Sequence, residues 1–238
     1  MNSQSNEPVV LKEAPNTLDG MFSYLNLQAS LAGYRGVLAQ AAKDDISHEE
    51  FLKRLLSQEA SSKFSRQIDC RLAQAKFPCI KTLEQFDWNH PTAIPKAKIL
   101  AAAELNFLSN REGFVFISEH GLGKTHLAIA VGYRAVLAGV RTCFTKAIDM
   151  VNHLSAAQAD HSTEKAMRFY TKPALLIIDE VGRLSIDQKQ GEHIFNVIDA
   201  RYERSSTILT TNRVFRDWSV SAGPKPYSFR RNWVYSLA

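Results

Sequence analysis

Residues 113–130 decide the fold, and they read Gly113-Phe-Val-Phe-Ile117, Ser118-Glu-His-Gly-Leu-Gly-Lys-Thr125 and His126-Leu-Ala-Ile-Ala130. The first five residues carry no polar side chain, which is typical of a buried strand. Beyond residue 124, apolar residues recur at the three- and four-residue spacing of a helix. The stretch therefore predicts a strand that leads through a glycine-containing turn directly into a helix.

The turn has the composition of a phosphate-binding loop. Glycine at 121 and 123 lets successive backbone N–H groups point inward at an anion, a curl that side chains obstruct. Lys124 adds a positive charge for the phosphates of ATP, and Thr125 offers a hydroxyl to Mg²⁺. The predicted nucleotide-binding residues are His120, Gly121, Leu122, Gly123, Lys124, Thr125 and His126. An ordinary strand-to-helix turn is the alternative interpretation.

One residue departs from the usual phosphate-loop pattern, G-x-x-x-x-G-K-[ST], because Ser118 stands where the first glycine belongs. If this position requires a positive φ, serine costs about 1–2 kcal/mol, or roughly tenfold in nucleotide affinity. We therefore expect ATP binding to be weakened rather than absent. On this argument Ser118→Gly tightens it.

Composition and charge set the broad class of the protein. Of its 238 residues, 45% are hydrophobic and 22% are charged, which is typical of a soluble globular protein. No apolar run is long enough to cross a bilayer and residues 1–7 do not resemble a signal peptide, so we expect a cytoplasmic protein. The net charge of +5 is compatible with a polyanionic partner.

Proline positions and apolar spacing divide the chain. We predict a loose N-terminus over 1–16, a helical domain over 17–77, a linker over 78–95 and a nucleotide-binding core over 96–218. The apolar spacing of residues 18–42 predicts a helix interrupted near Gly33 and Gly36. In the linker, we expect Phe86 and Trp88 to wedge the two domains together rather than to meet a ligand.

Basic residues accumulate in the second half of the helical domain. Helical spacing puts several of them on one side, where they are able to follow a DNA phosphate backbone. A solvated helix face is the equally acceptable alternative, because aromatic residues are sparse here. The candidate DNA-binding residues are Lys63, Arg66, Arg71 and Lys76.

Two later strands add polar residues at their ends. The apolar run Ala174-Leu-Leu-Ile-Ile178 ends in Asp179-Glu180, as expected of a central parallel strand with carboxylates at its C-terminal edge. In a nucleotide hydrolase the first carboxylate holds Mg²⁺ and the second orients the attacking water, and Asp179 and Glu180 fit these roles in that order. Thr207-Ile-Leu-Thr-Thr-Asn212 predicts a third core strand, with Asn212 as a sensor of the bound nucleotide.

The alternation of strands and helices predicts the α/β class, with a mostly parallel sheet flanked by helices and preceded by a small all-α domain. The motifs Gly121-Leu-Gly-Lys-Thr-His-Leu-Ala128, Leu175-Leu-Ile-Ile-Asp-Glu180, Arg201-Tyr-Glu-Arg204 and Ser206-Thr-Ile-Leu-Thr-Thr-Asn212 resemble the IstB family, ATP-binding helper proteins of IS21-type insertion sequences. The resemblance also includes Thr82-Leu-Glu-Gln-Phe-Asp-Trp88.

The resemblance implies an AAA+ P-loop NTPase related to DnaC-type helicase loaders. Such a protein assembles as a homo-oligomer on double-stranded DNA and stimulates the transposase of the same element. It also implies that Lys124 and Thr125 form the Walker A pair, that Asp179 and Glu180 form the Walker B pair, and that Asn212 is sensor 1. A helicase loader for replication and a non-catalytic DNA-binding remnant stay open as alternatives.

The tail over residues 219–238 departs from the family pattern, and we expect it to be divergent and truncated. The arginine that reaches a neighbour's nucleotide is not identifiable, although Arg230 and Arg231 could substitute for it by accident. Loss of such an arginine costs about 10³–10⁵ in rate in related phosphoryl-transfer systems. We therefore expect ATP binding to survive while hydrolysis is weak or lost.

Overall fold

A computed structural model describes residues 14–89, 95–182 and 188–213, together with the backbone of 233–237. Within these ranges the helices are α1 (Leu18–Tyr24), α2 (Gln28–Asp44), α3 (His48–Ala75), α4 (Lys96–Ala103), α5 (Asn106–Asn110), α6 (Lys124–Leu137), α7 (Ala147–Ala159), α8 (Thr163–Thr171) and α9 (Gln188–Arg201). The strands are β1 (Gly113–Ile117), β2 (Thr142–Lys146), β3 (Leu175–Val181), β4 (Ser206–Thr211) and β5 (Trp233–Leu237). The chain forms two compact units, which divide between Gln67 and Ile68.

The first unit contains α1, α2 and the first part of α3. Helix α2 begins where the Glu59 carboxylate, on α3, accepts the backbone N–H groups of Ala29 and Ser30 at 2.8 and 3.0 Å. The predicted interruption near Gly33 and Gly36 is wrong, because both glycines lie inside α2. The break falls instead at residues 25–27, between α1 and α2.

The second unit is built on a five-stranded sheet in the order β2-β3-β4-β1-β5, and every pair of neighbouring strands is parallel. Strand β3 carries apolar residues on both faces, so Leu175 and Ile177 join one core while Leu176 and Ile178 join the other. Helices α4 and α6 pack on the first face, and α7, α8 and α9 pack on the second. The predicted parallel sheet flanked by helices is confirmed.

The predicted linker begins ten residues after the observed division of the chain. Leu83 and Phe86 from this segment are buried in the core of the second unit, and Trp88 packs against the same cluster. We expected Phe86 to wedge two domains together. Its ring lies instead against the predicted phosphate loop, and its centroid is 5.2 Å from the centroid of the His126 ring. Residues 77–89 thus form part of the second unit, and Phe86 contacts the predicted phosphate loop.

Part of the predicted tail belongs to the sheet. The backbone of β5 pairs with β1 in parallel register, with Trp233 opposite Gly113 and Leu237 opposite Ile117. Arg230 and Arg231 lie outside the described residues, as do 219–232 and 238 as a whole. Among the helices that the structure describes, none has the length and apolarity to cross a membrane.

Candidate nucleotide-binding site

The phosphate loop connects β1 to α6 and contains two glycines in left-handed conformations. Gly121 has φ +83° and Gly123 has φ +80°, a region that other residues enter only at a cost of about 1–2 kcal/mol. Gly123 is also crowded, because a Cβ atom there would lie 2.5 Å from Cε2 of Phe86. The curl of the loop therefore depends on glycine at both positions.

Ser118 does not share this requirement. It is buried, and its φ is not positive. Its backbone N–H donates to the carbonyl of Thr211 at 3.3 Å, which continues the pairing of β1 with β4 by one residue. The strain that we expected if this position required a positive φ is therefore absent.

Lys124 opens α6 and points back over the loop. Its Nζ atom donates to the carbonyl oxygens of Ser118 at 2.7 Å and of Glu119 at 2.6 Å. Burial lowers the pKa of Lys124, while the nearby carboxylates of Asp179 and Glu180 act in the opposite direction. The ammonium group is thus held at the mouth of the loop by carbonyl groups that incoming phosphate oxygens are able to replace.

Asp179 lies at the C-terminal end of β3, behind the loop, and is only 2% exposed. Its Oδ1 atom accepts a hydrogen bond from Thr125 Oγ1 at 2.7 Å and a second one from Thr210 Oγ1. A hydroxyl and a carboxylate side by side are oxygen ligands of the kind that Mg²⁺ prefers. The donor set at Thr125 and Asp179 therefore fits this ion.

Glu180 follows in an unusual backbone conformation. Its φ is +59°, and the pairing of β3 with β4 shifts register between Ile178 and Val181. The Glu180 N–H donates to Thr210 Oγ1 at 2.9 Å. A bulge of this kind re-aims a side chain at a strand end, and here Glu180 joins the lining of the cavity over the loop.

That cavity has a volume of about 300 Å³. Across its mouth, Asn212 Nδ2 lies 3.0 Å from His120 Nε2, so the end of β4 touches the phosphate loop. The residues that line it are His120, Gly121, Gly123, Lys124, Thr125, Glu180, Thr210, Thr211 and Asn212. The structure therefore brings the predicted loop, the second strand-end carboxylate and the predicted sensor together around one cavity.

Two predicted residues lie elsewhere. His126 turns toward residues 77–89, where its Nε2 atom is 2.8 Å from the carbonyl oxygen of Thr82. Leu122 is not among the side chains that line the cavity. Conversely, Thr210 was not among the predicted site residues, although a hydroxyl residue two places before the predicted sensor was the available signal.

The four candidate DNA-binding residues are divided between the two units. Lys63 and Arg66 belong to the first unit, where they lie 3.8 and 3.5 Å from the carboxylate of Glu59. Arg71 and Lys76 belong to the second unit, near the β2 edge of its sheet. The carboxylate of Glu59 offsets part of the positive charge of Lys63 and Arg66, so this pair attracts an anion less strongly than two unpaired cations would.

Comparisons with known proteins identify the family of the chain. The model of the family described as IstB-like ATP binding protein matches residues 21–225. The ATP-binding protein assigned to insertion sequence IS5376 of Geobacillus stearothermophilus is 36% identical over 199 residues, covering 84% of this chain and 79% of the relative. The corresponding protein of insertion sequence IS21 from Pseudomonas aeruginosa is 34% identical over 206 residues, covering 87% and 78%.

Solved structures share the fold of about two thirds of the chain. The DnaC helicase loader has a TM-score of 0.55 and 22% identity, covering 66% of this chain and 95% of its own. AMPPCP-bound DnaA from Aquifex aeolicus has the same TM-score and identity, covering 65% and 49%. At this level of identity the likeness concerns the fold alone.

Proposed function

The chain belongs to the family of IstB-like ATP binding proteins, and from this premise we propose that it is an ATP-binding AAA+ protein that binds double-stranded DNA and assists the transposase of an insertion sequence. One observation carries the proposal more than any other. Lys124, Glu180 and Asn212, which are far apart along the chain, line a single cavity beside the Thr125–Asp179 pair. This arrangement suits a magnesium-bound triphosphate.

Each residue has a separate part in the proposed site. The backbone N–H groups of the loop surround the phosphates, and Lys124 exchanges its two carbonyl partners for phosphate oxygens. Thr125 and Asp179 would hold Mg²⁺, which when bound neutralises the charge of the phosphates. Glu180 accepts a proton from the attacking water, and Asn212 senses the state of the nucleotide through the contact that it makes with His120.

We further propose that ATP binding, rather than rapid turnover, is the main event in this chain. Arg230 and Arg231, the candidates for the arginine that reaches a neighbour's nucleotide, lie outside the described residues, and in related phosphoryl-transfer systems such a group supports hydrolysis strongly. Steady hydrolysis stimulated by DNA would contradict the proposal if Lys124→Ala and Glu180→Gln both abolished it. Those two variants would show that the activity comes from this site and not from a contaminant.

Binding of ATP is tested by thermal unfolding with and without MgATP. A ligand at a hundred times its Kd stabilises the folded protein by about 2.7 kcal/mol, so we expect a clear rise in Tm for the unaltered chain. Lys124→Ala should remove this rise, whereas Lys98→Ala, an exposed lysine on α4, should keep it. If MgATP left every Tm unchanged, a non-catalytic DNA-binding remnant would become the better interpretation.

The partner is proposed from the relatives. Those with more than 30% identity are proteins of insertion sequences, whereas the helicase loader shares only the fold. We therefore expect the chain to co-purify with the transposase of its own element, and to assemble into a homo-oligomer on double-stranded DNA. Retention of a replicative helicase in place of the transposase would favour the helicase-loader alternative.

A further inference from the structure

A large groove lies along the edge strand β2, and its lining shares no residue with that of the nucleotide cavity. Its volume is about 980 Å³, and it is lined by the end of β2, by α7 and α8, and by residues near Lys76. A second cavity of about 390 Å³ shares Lys76, Arg168, Phe169 and Lys172 with it. We call these two adjoining cavities the basic groove.

The lining of the basic groove is strongly cationic. Six basic side chains face it without an ion pair to any residue that the structure describes: Arg71, Lys76, Arg141, Lys146, Lys165 and Lys172. Arg168 also lines it but pairs with Glu164 at 2.7 Å. Among the residues that the structure describes, Asp149 is the single carboxylate in the lining of the two cavities. Such an excess of positive charge favours a polyanion.

The aromatic residues of the groove indicate which polyanion. Phe144 and Tyr170 are buried, at 5% and 3% exposure, so their faces are closed to a base. Phe169 is more exposed, but the ammonium group of Lys76 lies 4.6 Å from its ring centroid. Single-stranded nucleic acids are bound largely through stacking of bases on open aromatic faces. The groove therefore offers contacts to phosphates and few to bases.

We propose that the basic groove holds the phosphate backbone of double-stranded DNA, whose bases are already stacked and paired. This inference rests on the proposed function, and it gives the DNA a place on the second unit. Cations come from α3, β2 and α8 and from the residues beside them, which suits a chain of phosphates spread over the groove. Lys63 and Arg66 are not required, because both face the Glu59 carboxylate in the other unit.

The test compares two triple variants of the full chain. In the groove variant, Lys76, Lys165 and Lys172 become glutamine. In the control variant, the exposed lysines Lys43, Lys53 and Lys98 become glutamine, so both variants lose three positive charges. Binding to a fluorescent DNA duplex is measured by anisotropy over a series of salt concentrations, and the MgATP-dependent rise in Tm checks that each variant is folded.

The groove variant should bind duplex DNA at least about tenfold more weakly at moderate salt. Its plot of log affinity against log salt should be shallower by about three, since each lost phosphate contact removes about one from the slope. The control variant should keep the slope of the unaltered chain. Equal slopes and affinities in the two variants would overturn the groove proposal and leave the proposed function intact.

Other outcomes are equally decisive. If the unaltered chain bound no duplex DNA, the proposed function and the groove proposal would both be wrong. If a single strand of the same length bound more tightly than the duplex, and lost its binding in the groove variant, double-stranded DNA would be the wrong occupant. Double-stranded DNA would also be the wrong occupant if a poly-glutamate peptide displaced the labelled duplex as effectively as unlabelled duplex does. Strand β2 is an edge strand, to which a peptide strand can add.

Discussion

Thr210, near the end of β4, donates its hydroxyl hydrogen to the carboxylate of Asp179, at the end of β3. The oxygen of the same hydroxyl accepts the N–H of Glu180 at 2.9 Å. Glu180 has φ +59°, a conformation that is unfavourable for a residue with a side chain. Thr210 therefore stabilises the two carboxylate residues in the arrangement that the candidate site requires.

Replacement of Thr210 by valine should lower the free energy of unfolding by about 2–3 kcal/mol. Thr210 is 1% exposed. Valine has nearly the same shape but can neither accept the Glu180 N–H nor donate to the Asp179 carboxylate, so two buried hydrogen bonds are lost. Thr210→Ser keeps the hydroxyl and should recover most of the loss. Denaturant unfolding of the three proteins measures the effect, and equal stability of the valine and serine variants would contradict it.

Ser118→Gly should leave ATP affinity within about a factor of two. The backbone at 118 is paired with Thr211 and lacks a positive φ, so glycine relieves no strain there. Calorimetric titration with MgATP compares the two proteins. A tenfold tightening in the glycine variant would restore the strain argument that the structure overturns.

Gly123→Ala should disrupt both the loop and ATP binding. The left-handed backbone costs alanine about 1–2 kcal/mol, and its Cβ would meet the ring of Phe86 at 2.5 Å. Gly36→Ala is a matched control, because this glycine lies inside α2 with nothing within 4 Å of the added carbon.

The two alanine variants should change stability in opposite directions. Gly36→Ala is expected to raise the free energy of unfolding by roughly 0.5–1 kcal/mol, since alanine favours a helix interior. Gly123→Ala should lower this free energy and remove the MgATP-dependent rise in Tm. If Gly123→Ala bound MgATP normally, the loop would not need the curl that we describe.

Arg201 should be among the most sensitive positions in the second unit. The side chain is 1% exposed and carries a guanidinium group whose pKa burial lowers. It donates hydrogen bonds to the carbonyl oxygens of Tyr170, Thr171, Pro173, Ala174 and Ser206 and to the hydroxyl of Thr207. These contacts connect α8 to the starts of β3 and β4.

Arg201→Met should lower the free energy of unfolding by at least about 3 kcal/mol, because several buried carbonyl groups lose their donor. The free energy of unfolding of Arg201→Lys should lie between those of Arg201→Met and the unaltered protein, since an ammonium group has fewer donors and cannot span the same set of carbonyls. Chemical denaturation gives the ranking. Equal stability of the lysine variant and the unaltered protein would show that charge alone suffices.

Glu59 should make the stability of the first unit depend on pH. The backbone N–H of Ser30 lowers the pKa of this carboxyl below its ordinary value of 4.5, helped by Ala29, Lys63 and Arg66 and opposed by burial. A carboxyl with a lowered folded-state pKa stabilises the protein above its unfolded-state pKa. That contribution is lost as the pH falls through the folded-state pKa.

Glu59→Gln removes the charge and keeps the shape. The unaltered protein should therefore be more stable than this variant near neutral pH, and the difference should shrink once the pH falls below about 4.5. Denaturant unfolding at several pH values measures the difference. A gap that stayed constant down to acid pH would show that the charge of Glu59 contributes nothing.

The sequence identified the parts of the nucleotide site that depend on local pattern. Glycines at 121 and 123, Lys124 and Thr125 form a contiguous motif, and the apolar run before Asp179 predicts a buried strand with carboxylates at its end. The parallel sheet follows from the alternation of such strands with helices. These inferences need only neighbouring residues and the periodicity of secondary structure.

Other features depended on contacts that local pattern does not encode. Phe86 lies in a segment that we interpreted as a linker, yet it packs on Gly123, 37 positions later in the sequence. Lys146, Lys165 and Lys172 have no shared spacing with Lys76, yet all four line the basic groove. Helical periodicity considers one helix at a time, so it pointed only to basic residues that are close together in the sequence.

The sequence by itself determined that a phosphate loop joins a buried strand to a helix, since glycine freedom, side-chain charge and apolar spacing are properties of short stretches. Only the tertiary structure decided that Ser118 is unstrained, that Thr210 connects Asp179 with Glu180, and where the positive charge gathers. These depend on which strand lies beside which, and the pairing of β1 and β3 with β4 is a consequence of burying both faces of the whole sheet.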